Sequence, residues 1–128
     1  MPGKILIVDD SAITRALIKR AILLANLPVA GLLEAGNGSQ ALDVIRREQV
    51  DVLIADLNMP EMGGVELTRI ILGDPLTKHI PVVIVSADPN PSRAAELLAA
   101  GVKGYVHKPF TPEVIRDTLS PLMGEIHV

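Results

Sequence analysis

The sequence contains no cysteine and very few aromatic residues. Among its 128 residues there is no tryptophan, and Tyr105 and Phe110 are the only tyrosine and the only phenylalanine. Without cysteine the chain has no disulfide, no thiolate metal ligand and no cysteine nucleophile. Proteins that stack nucleic-acid bases need several aromatic platforms, which this sequence does not supply. The core must therefore be aliphatic, and a base-stacking module is excluded.

Excess positive charge and long apolar runs are also missing. Lys and Arg number 12 against 15 Asp and Glu, so the formal net charge is −3, and no surplus of positive charge is available to a nucleic-acid backbone. The apolar run after Lys4 is too short for a signal peptide, and no stretch approaches the length of a membrane span. The sequence predicts a cytoplasmic protein that binds neither nucleic acid nor a membrane.

The apolar residues come instead in short runs, with helical segments between them. Hydrophobic residues make up 48% of the chain, enough for one buried core, so we expect a single domain over residues 1–128. Continuous apolar strands that alternate with helices are typical of a parallel sheet covered on both faces. The fold class is therefore predicted as α/β with five strands and five helices. The predicted strands are Ile5–Val8, Ala30–Glu34, Val52–Ala55, Val82–Val85 and Gly104–His107.

Capping residues indicate where the helices begin. Ser11 can cap the first helix, whose apolar face is predicted to run along Ile13, Leu17, Ala21 and Leu24. A glycine, Gly101, is predicted to end the fourth helix. The other helices are predicted to begin after Asn37-Gly38-Ser39, after Gly63-Gly64, at Asn90-Pro91 and at Thr111-Pro112.

Polar side chains follow four of the predicted strands. Ligands of open parallel sheets bind beyond the carboxyl ends of the strands, so these side chains are expected to share one site. Three carboxylates and a lysine form an oxygen-rich site suited to Mg²⁺. A metal, a lysine and a hydroxyl are also what a phosphoryl group needs during transfer, and a carboxylate can itself be the nucleophile. The residues are Asp9, Asp10, Asp56, Ser86 and Lys108.

Four motifs carry a resemblance to a known family. The stretches IVDDS, IADLNMPEMGG, VVIVSA and GYVHKPF closely resemble the response-regulator receiver domains of two-component signalling, and the similarity covers essentially the entire chain. The resemblance implies a flavodoxin-like, doubly wound sheet in the strand order 2-1-3-4-5. It also implies that helices 1 and 5 cover one face of the sheet and helices 2 to 4 the other.

The resemblance assigns a chemical role to each residue of the predicted site. It implies that Asp56 accepts a phosphoryl group from a histidine kinase in a Mg²⁺-dependent reaction. Asp10 and Asp56 would bind Mg²⁺ through their side chains, Asn58 through its backbone carbonyl, and Asp9 largely through water. Lys108 would pair with the carboxylate and later with the phosphate. Such a domain catalyses only its own phosphorylation and slow dephosphorylation, so we do not expect an enzyme.

The resemblance also implies a switch and a partner surface. Ser86 would hydrogen-bond the new phosphate, and Tyr105 would rotate inward behind it. The signal would leave through the face made by the fourth helix, the fifth strand and the fifth helix, where a downstream protein binds. The Lys108-Pro109 bond is typically cis in this family. An acid at position 88, Asp88, lies where the family tunes the lifetime of the phosphorylated state.

Three alternatives remain at this stage. The segment GNGSQA, Gly36–Ala41, fits a dinucleotide-binding pattern, although it follows the second strand rather than the first. An aspartyl-phosphate-forming phosphatase would need a proton donor two residues after its nucleophile, and Asn58 is not one. A receiver-like interaction module could act without phosphorylation, although such modules usually lack one of the acids or the lysine, and this sequence has them all.

Overall fold

The computed structural model describes residues 3–59 and 61–126, with side chains up to residue 123. The chain alternates five strands with five helices. The strands are β1 (Gly3–Val8), β2 (Val29–Ala35), β3 (Val52–Asp56), β4 (Val82–Ser86) and β5 (Gly104–His107). The helices are α1 (Ala12–Leu24), α2 (Gly38–Arg47), α3 (Gly64–Gly73), α4 (Pro91–Ala100) and α5 (Pro112–Ile126).

All five strands are parallel and lie in the order β2-β1-β3-β4-β5, as predicted. Every residue of β3 and β4 is buried, which is why these strands are continuous runs of aliphatic residues rather than alternating ones. The strand order reverses at β1, because the chain passes from β1 to β2 on one side and returns to β3 on the other. Ligands of such sheets bind beyond the carboxyl ends of the strands at this reversal.

Two separate aliphatic cores lie on the two faces of the sheet. One packs α1 and α5 through residues such as Ile18, Ile22 and Leu119. The other packs α2, α3 and α4 through residues such as Ala41 and Leu67. The predicted division of the helices is therefore confirmed. No helix in the part of the chain that the structure describes is long and apolar enough to cross a membrane.

The predicted apolar face of α1 is wrong in its orientation. The residues that α1 buries are Ile18, Ala21 and Ile22, while most of the predicted face is exposed: Ile13 by 75%, Leu17 by 54% and Leu24 by 62%. The helix carries two adjacent apolar stripes, and spacing alone does not tell which of them meets the sheet. The second stripe is left on the surface.

The predicted helix caps are confirmed. The Ser11 hydroxyl accepts a hydrogen bond from the Thr14 N–H at 3.2 Å, and the Asn90 side chain accepts one from the Ser92 N–H at 3.0 Å. Gly101 ends α4 with a φ of +118°, a left-handed conformation that a residue with a side chain rarely adopts. The caps Ser11 and Asn90 fix where the loops after β1 and β4 enter α1 and α4.

Candidate functional site

The carboxyl ends of the strands bring the predicted polar residues together. Asp9 directly follows β1, Asp56 is the last residue of β3, and Ser86 is the last residue of β4. Lys108 directly follows β5, and its backbone N–H donates to the Ser86 carbonyl at 2.8 Å. Because the strands are parallel, all four side chains start from the same edge of the sheet.

Three carboxylates form a compact cluster at this edge. One oxygen from each of Asp9, Asp10 and Asp56 lies within 4.8 Å of the others. Asp9 and Asp56 are buried, and Asp10 is exposed. The Lys108 ammonium lies 3.1 Å from Asp9 Oδ2 and 3.5 Å from Asp56 Oδ1. One lysine offsets only one of three negative charges, so the cluster fits a hard divalent cation such as Mg²⁺.

The two adjacent acids have different surroundings. Asp9 Oδ1 accepts a hydrogen bond from the Ser11 N–H at 2.9 Å, and Oδ2 accepts one from Lys108. Both of its oxygens are therefore engaged by the protein. Within residues 3–59 and 61–126, the Asp10 carboxylate has neither a hydrogen bond nor an ion pair. Asp10 is thus the acid whose oxygens are most available to a metal, while Oδ1 of Asp56 lies 3.5 Å from the Lys108 ammonium.

Burial is the largest influence on the Asp56 carboxyl, and it raises the pKa above the ordinary value. The positive charge of Lys108 lowers the pKa, while the neighbouring Asp9 carboxylate raises it. The backbone N–H of Asn58 also lowers the pKa, and the net direction is upward. The ionised form of Asp56 is therefore costly in the metal-free protein, and a cation beside it would relieve that cost.

The loop after β3 folds back against the site because two glycines permit it. A Cβ atom on Gly64 would lie 2.4 Å from the Asp56 carbonyl oxygen, and one on Gly63 would lie 2.5 Å from the Leu57 carbonyl oxygen. Side chains are therefore sterically excluded at both positions. The Gly64 N–H donates to the Leu57 carbonyl at 3.0 Å. The exposed Asn58 lies in this loop, two residues after Asp56.

Ser86 and the residues after it form a chain of hydrogen bonds. Ser86 is fully buried, and its hydroxyl accepts from the Asp88 N–H at 3.0 Å. The Asp88 carboxylate accepts from the Asn90 N–H at 2.9 Å and lies 3.9 Å from the Arg93 guanidinium. This arrangement links the end of β4 to the first turn of α4.

Tyr105, on β5, is half-buried. Its ring packs against the core that α2, α3 and α4 share, and its centroid lies 5.0 Å from that of His107. The hydroxyl is buried, and no partner for it lies within hydrogen-bonding distance among the described residues. The Lys108-Pro109 peptide bond is cis, in agreement with the family pattern.

One contact at the site was not predicted. The guanidinium of Arg15, in the first turns of α1, donates a hydrogen bond to the backbone carbonyl of Asp9 and another to Glu34 on β2. Arg15 and Lys19 are four residues apart and so share a helix face, but no sequence signal connects them with Glu34.

Comparison with known proteins agrees with this geometry. The family model for the response regulator receiver domain matches residues 5–120. The chemotaxis protein CheY of Pseudomonas aeruginosa is 38% identical over 124 residues, covering 97% of this chain and 98% of that protein. A CheY homolog of Campylobacter jejuni is 38% identical over 122 residues, covering 94% of this chain and 92% of that protein.

Solved structures agree as well. CheY4 of Vibrio cholerae superposes with a TM-score of 0.82 at 30% identity, covering 95% of this chain and 99% of that one. A putative response regulator from Chloroflexus aurantiacus has a TM-score of 0.86 at 27% identity, covering 97% and 99%. The dinucleotide-binding alternative is therefore rejected, and the chain belongs to the response regulator receiver domain family.

Proposed function

We propose that this receiver domain takes a phosphoryl group from a histidine kinase onto Asp56 and thereby changes its binding to a downstream protein. The observation that carries the proposal is the position of Asp56. It is buried, 3.5 Å from the Lys108 ammonium, and within 4.8 Å of two further carboxylates. The named relatives are chemotaxis proteins, which supports a cytoplasmic signalling role of that kind.

Asp56 is the best nucleophile of the three acids. Both oxygens of Asp9 are held by Ser11 and Lys108, and Asp10 contacts no cation among the described residues. One oxygen of Asp56 faces Lys108. In the transfer, the P–N bond of the phosphohistidine breaks as the P–O bond to Asp56 forms, and the departing imidazole nitrogen regains a proton.

Charge neutralisation is the main contribution of the rest of the site. Mg²⁺, held by the side chains of Asp10 and Asp56 and by the Asn58 carbonyl, would neutralise the phosphoryl oxygens and the carboxylates. Lys108 pairs with Asp56 before transfer and with the phosphate after it. Asp9 keeps Lys108 directed into the site through their 3.1 Å contact.

The Ser86 hydroxyl is the group on β4 best placed to sense the phosphate. A phosphate adds strong acceptor oxygens, so Ser86 would turn to donate its O–H to one of them, and that rotation would break the bond that its oxygen accepts from the Asp88 N–H. Releasing that N–H loosens the turn that leads into α4. We infer that Tyr105 and the face of α4, β5 and α5 carry the change to a protein partner, and that Asp88 influences the lifetime of the phosphorylated state.

Two other functions make different predictions. An interaction module that works without phosphorylation would bind its partner equally well before and after treatment with a phosphodonor. A phosphatase would turn over external phosphoesters, but the position of its proton donor is taken by Asn58. The complete set of acids and lysine favours the phosphoacceptor.

The test is to incubate the protein with acetyl phosphate and Mg²⁺ and to locate the added phosphate by mass spectrometry. We expect one phosphate, on Asp56, that is absent when EDTA is present. The variant Asp56→Asn should not be labelled, while Asp43→Asn, an exposed acid on α2, should label normally. Phosphate on Asp9 or Asp10 of the parent protein, or no labelling at all, would refute the proposal.

The switch is tested with the same protein and a pull-down from a lysate of the source cells. Beryllofluoride with Mg²⁺ mimics the phosphate, and proteins retained only in its presence are the downstream candidates. Ser86→Ala should still be phosphorylated but should lose this dependence. Equal retention by the parent and by Ser86→Ala would rule out the coupling through Ser86.

A further inference from the structure

The Arg15 guanidinium joins three elements beside the acidic cluster. It projects from α1 and is largely buried, with 19% of its side chain exposed. One terminal nitrogen donates to the backbone carbonyl of Asp9, and Nε donates to Glu34 Oε1 on β2 at 3.0 Å. The planar fork of arginine allows both bonds at once, which a lysine ammonium at the same position does not reproduce.

Glu34 is itself held in place. Its second oxygen accepts a hydrogen bond from the Lys19 ammonium at 2.9 Å. The contacts with Lys19 and Arg15 lower the pKa of the Glu34 carboxyl, so it stays ionised across the neutral range. The ionised Glu34 carboxylate, on β2, therefore holds the Nε side of the Arg15 guanidinium.

The carbonyl that Arg15 holds is part of the peptide unit that leads to Asp10. A peptide unit is planar, so fixing the Asp9 carbonyl oxygen also fixes the direction of the Asp10 N–H and of its Cα. In the described residues the Asp10 carboxylate has no hydrogen-bonding partner and no ion pair that would fix it. The position of Asp10 is therefore determined by its backbone.

We propose that Arg15, supported by Glu34 and Lys19, is a positioning residue for the Mg²⁺ site and acts through the Asp9-Asp10 peptide. The inference rests on the proposed Mg²⁺ binding by Asp10 and Asp56. Outer-shell groups that orient metal ligands typically contribute ten- to a hundredfold to metal affinity, and an exposed ligand held only by its backbone is expected to be at the lower end of that range.

The charge of Arg15 and its positioning role predict opposite changes in Mg²⁺ affinity when Arg15 is replaced, and this difference allows a decisive test. Arg15 is a cation close to a cation site, so removing its charge alone would strengthen Mg²⁺ binding. If Arg15 positions Asp10, removing it weakens Mg²⁺ binding in spite of the lost repulsion. The sign of the change separates the two roles.

The experiment measures the Mg²⁺ dissociation constant by isothermal titration calorimetry, together with the melting temperature in EDTA. Arg15→Met and Arg15→Gln both remove the charge, so that one can replace the other if it does not fold. We expect each to bind Mg²⁺ about tenfold more weakly than the parent. Arg15→Lys keeps the charge and a single donor group but not the fork, so it should recover only part of the affinity.

The matched control is Lys4→Met. Lys4 lies at the opposite end of β1 and forms an ion pair with Glu48 at 3.2 Å, so this variant loses the same charge and one ion pair far from the acidic cluster. Its Mg²⁺ affinity should equal that of the parent. Neutral Arg15 variants that bind Mg²⁺ as tightly as the parent, or more tightly, would overturn the inference, even if they melt earlier. If the parent itself binds no Mg²⁺, it is the proposed function that fails.

Discussion

Replacing Asp10 with asparagine should make the metal-free protein more stable and remove most of its response to Mg²⁺. The three carboxylate oxygens lie within 4.8 Å of one another, so Asp10 repels two neighbouring charges. In water each pair at that distance costs about 0.9 kcal/mol. Physiological salt, with a Debye length of about 8 Å, roughly halves this value. An asparagine side chain carries no net charge, so the gain in the free energy of unfolding should be about 1 kcal/mol.

The expected effect is measurable by thermal unfolding. For a domain of this size, about 1 kcal/mol corresponds to a rise of about 3–5 °C in melting temperature. The parent protein at ten times its Mg²⁺ dissociation constant should gain about 1.4 kcal/mol from binding to the folded state, or about 4–7 °C. Asp10→Asn should start higher in EDTA and gain little when Mg²⁺ is added.

The assay is circular dichroism at 222 nm during heating, in EDTA and in a series of MgCl₂ concentrations. Asp43→Asn is the control, because it removes the same charge from an exposed position on α2 that pairs only with Arg46, at 3.5 Å, among the described residues. Its Mg²⁺ response should equal that of the parent. The advantage of Asp10→Asn in EDTA should shrink in 1 M NaCl, where charges are screened within about 3 Å. A variant that melts below the parent in EDTA, or keeps the full Mg²⁺ shift, would show that Asp10 is not a metal ligand.

Two further predictions concern the nucleophile and the surface. Burial raises the pKa of Asp56, so the folded protein holds that proton more tightly than the unfolded chain, and ionisation costs stability above the raised pKa. In EDTA, Asp56→Asn should therefore be more stable than the parent at neutral pH, and this difference in stability should vanish as the pH falls below the ordinary pKa of Asp. Urea unfolding of both proteins from pH 3.5 to 8 measures the difference. A difference that does not change with pH would contradict the prediction. Leu17 is 54% exposed beside a groove of about 280 Å³ that Lys108 and Phe110 also line, so Leu17→Asp should slow transfer from a histidine kinase but not from acetyl phosphate. The control is Leu76→Asp, at an 81% exposed position, and equal slowing with both donors would count against a docking role for Leu17.

The alternation of strands and helices could be predicted from the sequence because each strand is an apolar run that the sheet buries. The runs Val52–Ala55 and Val82–Val85 differ from β3 and β4 by one residue each, and the omitted residues are the polar Asp56 and Ser86. The strand order could not be obtained from these patterns, because an apolar run does not indicate which strands lie beside it in the sheet. It came from the resemblance to the receiver family, and the pairing of β1 with both β2 and β3 agrees with it.

The orientation of α1 shows where helical periodicity is insufficient. An amphipathic helix identifies its buried face only when one stripe is apolar, but α1 has a second stripe, Ile13, Leu17 and Leu24, that remains exposed. The sequence pattern alone therefore could not show which of the two stripes is buried.

The different surroundings of Asp9 and Asp10 also could not be predicted from the sequence pattern. Asp9 and Asp10 follow the end of β1, and the pair supplies one buried and one exposed carboxylate. The buried one is held by Ser11 and Lys108 and keeps the lysine in the site. The exposed one is left without partners among the described residues and can give its oxygens to a metal. Under the proposed function the pair divides two tasks: both oxygens of Asp9 are occupied by Lys108 and the Ser11 N–H, which leaves Asp10 to serve as the direct metal ligand.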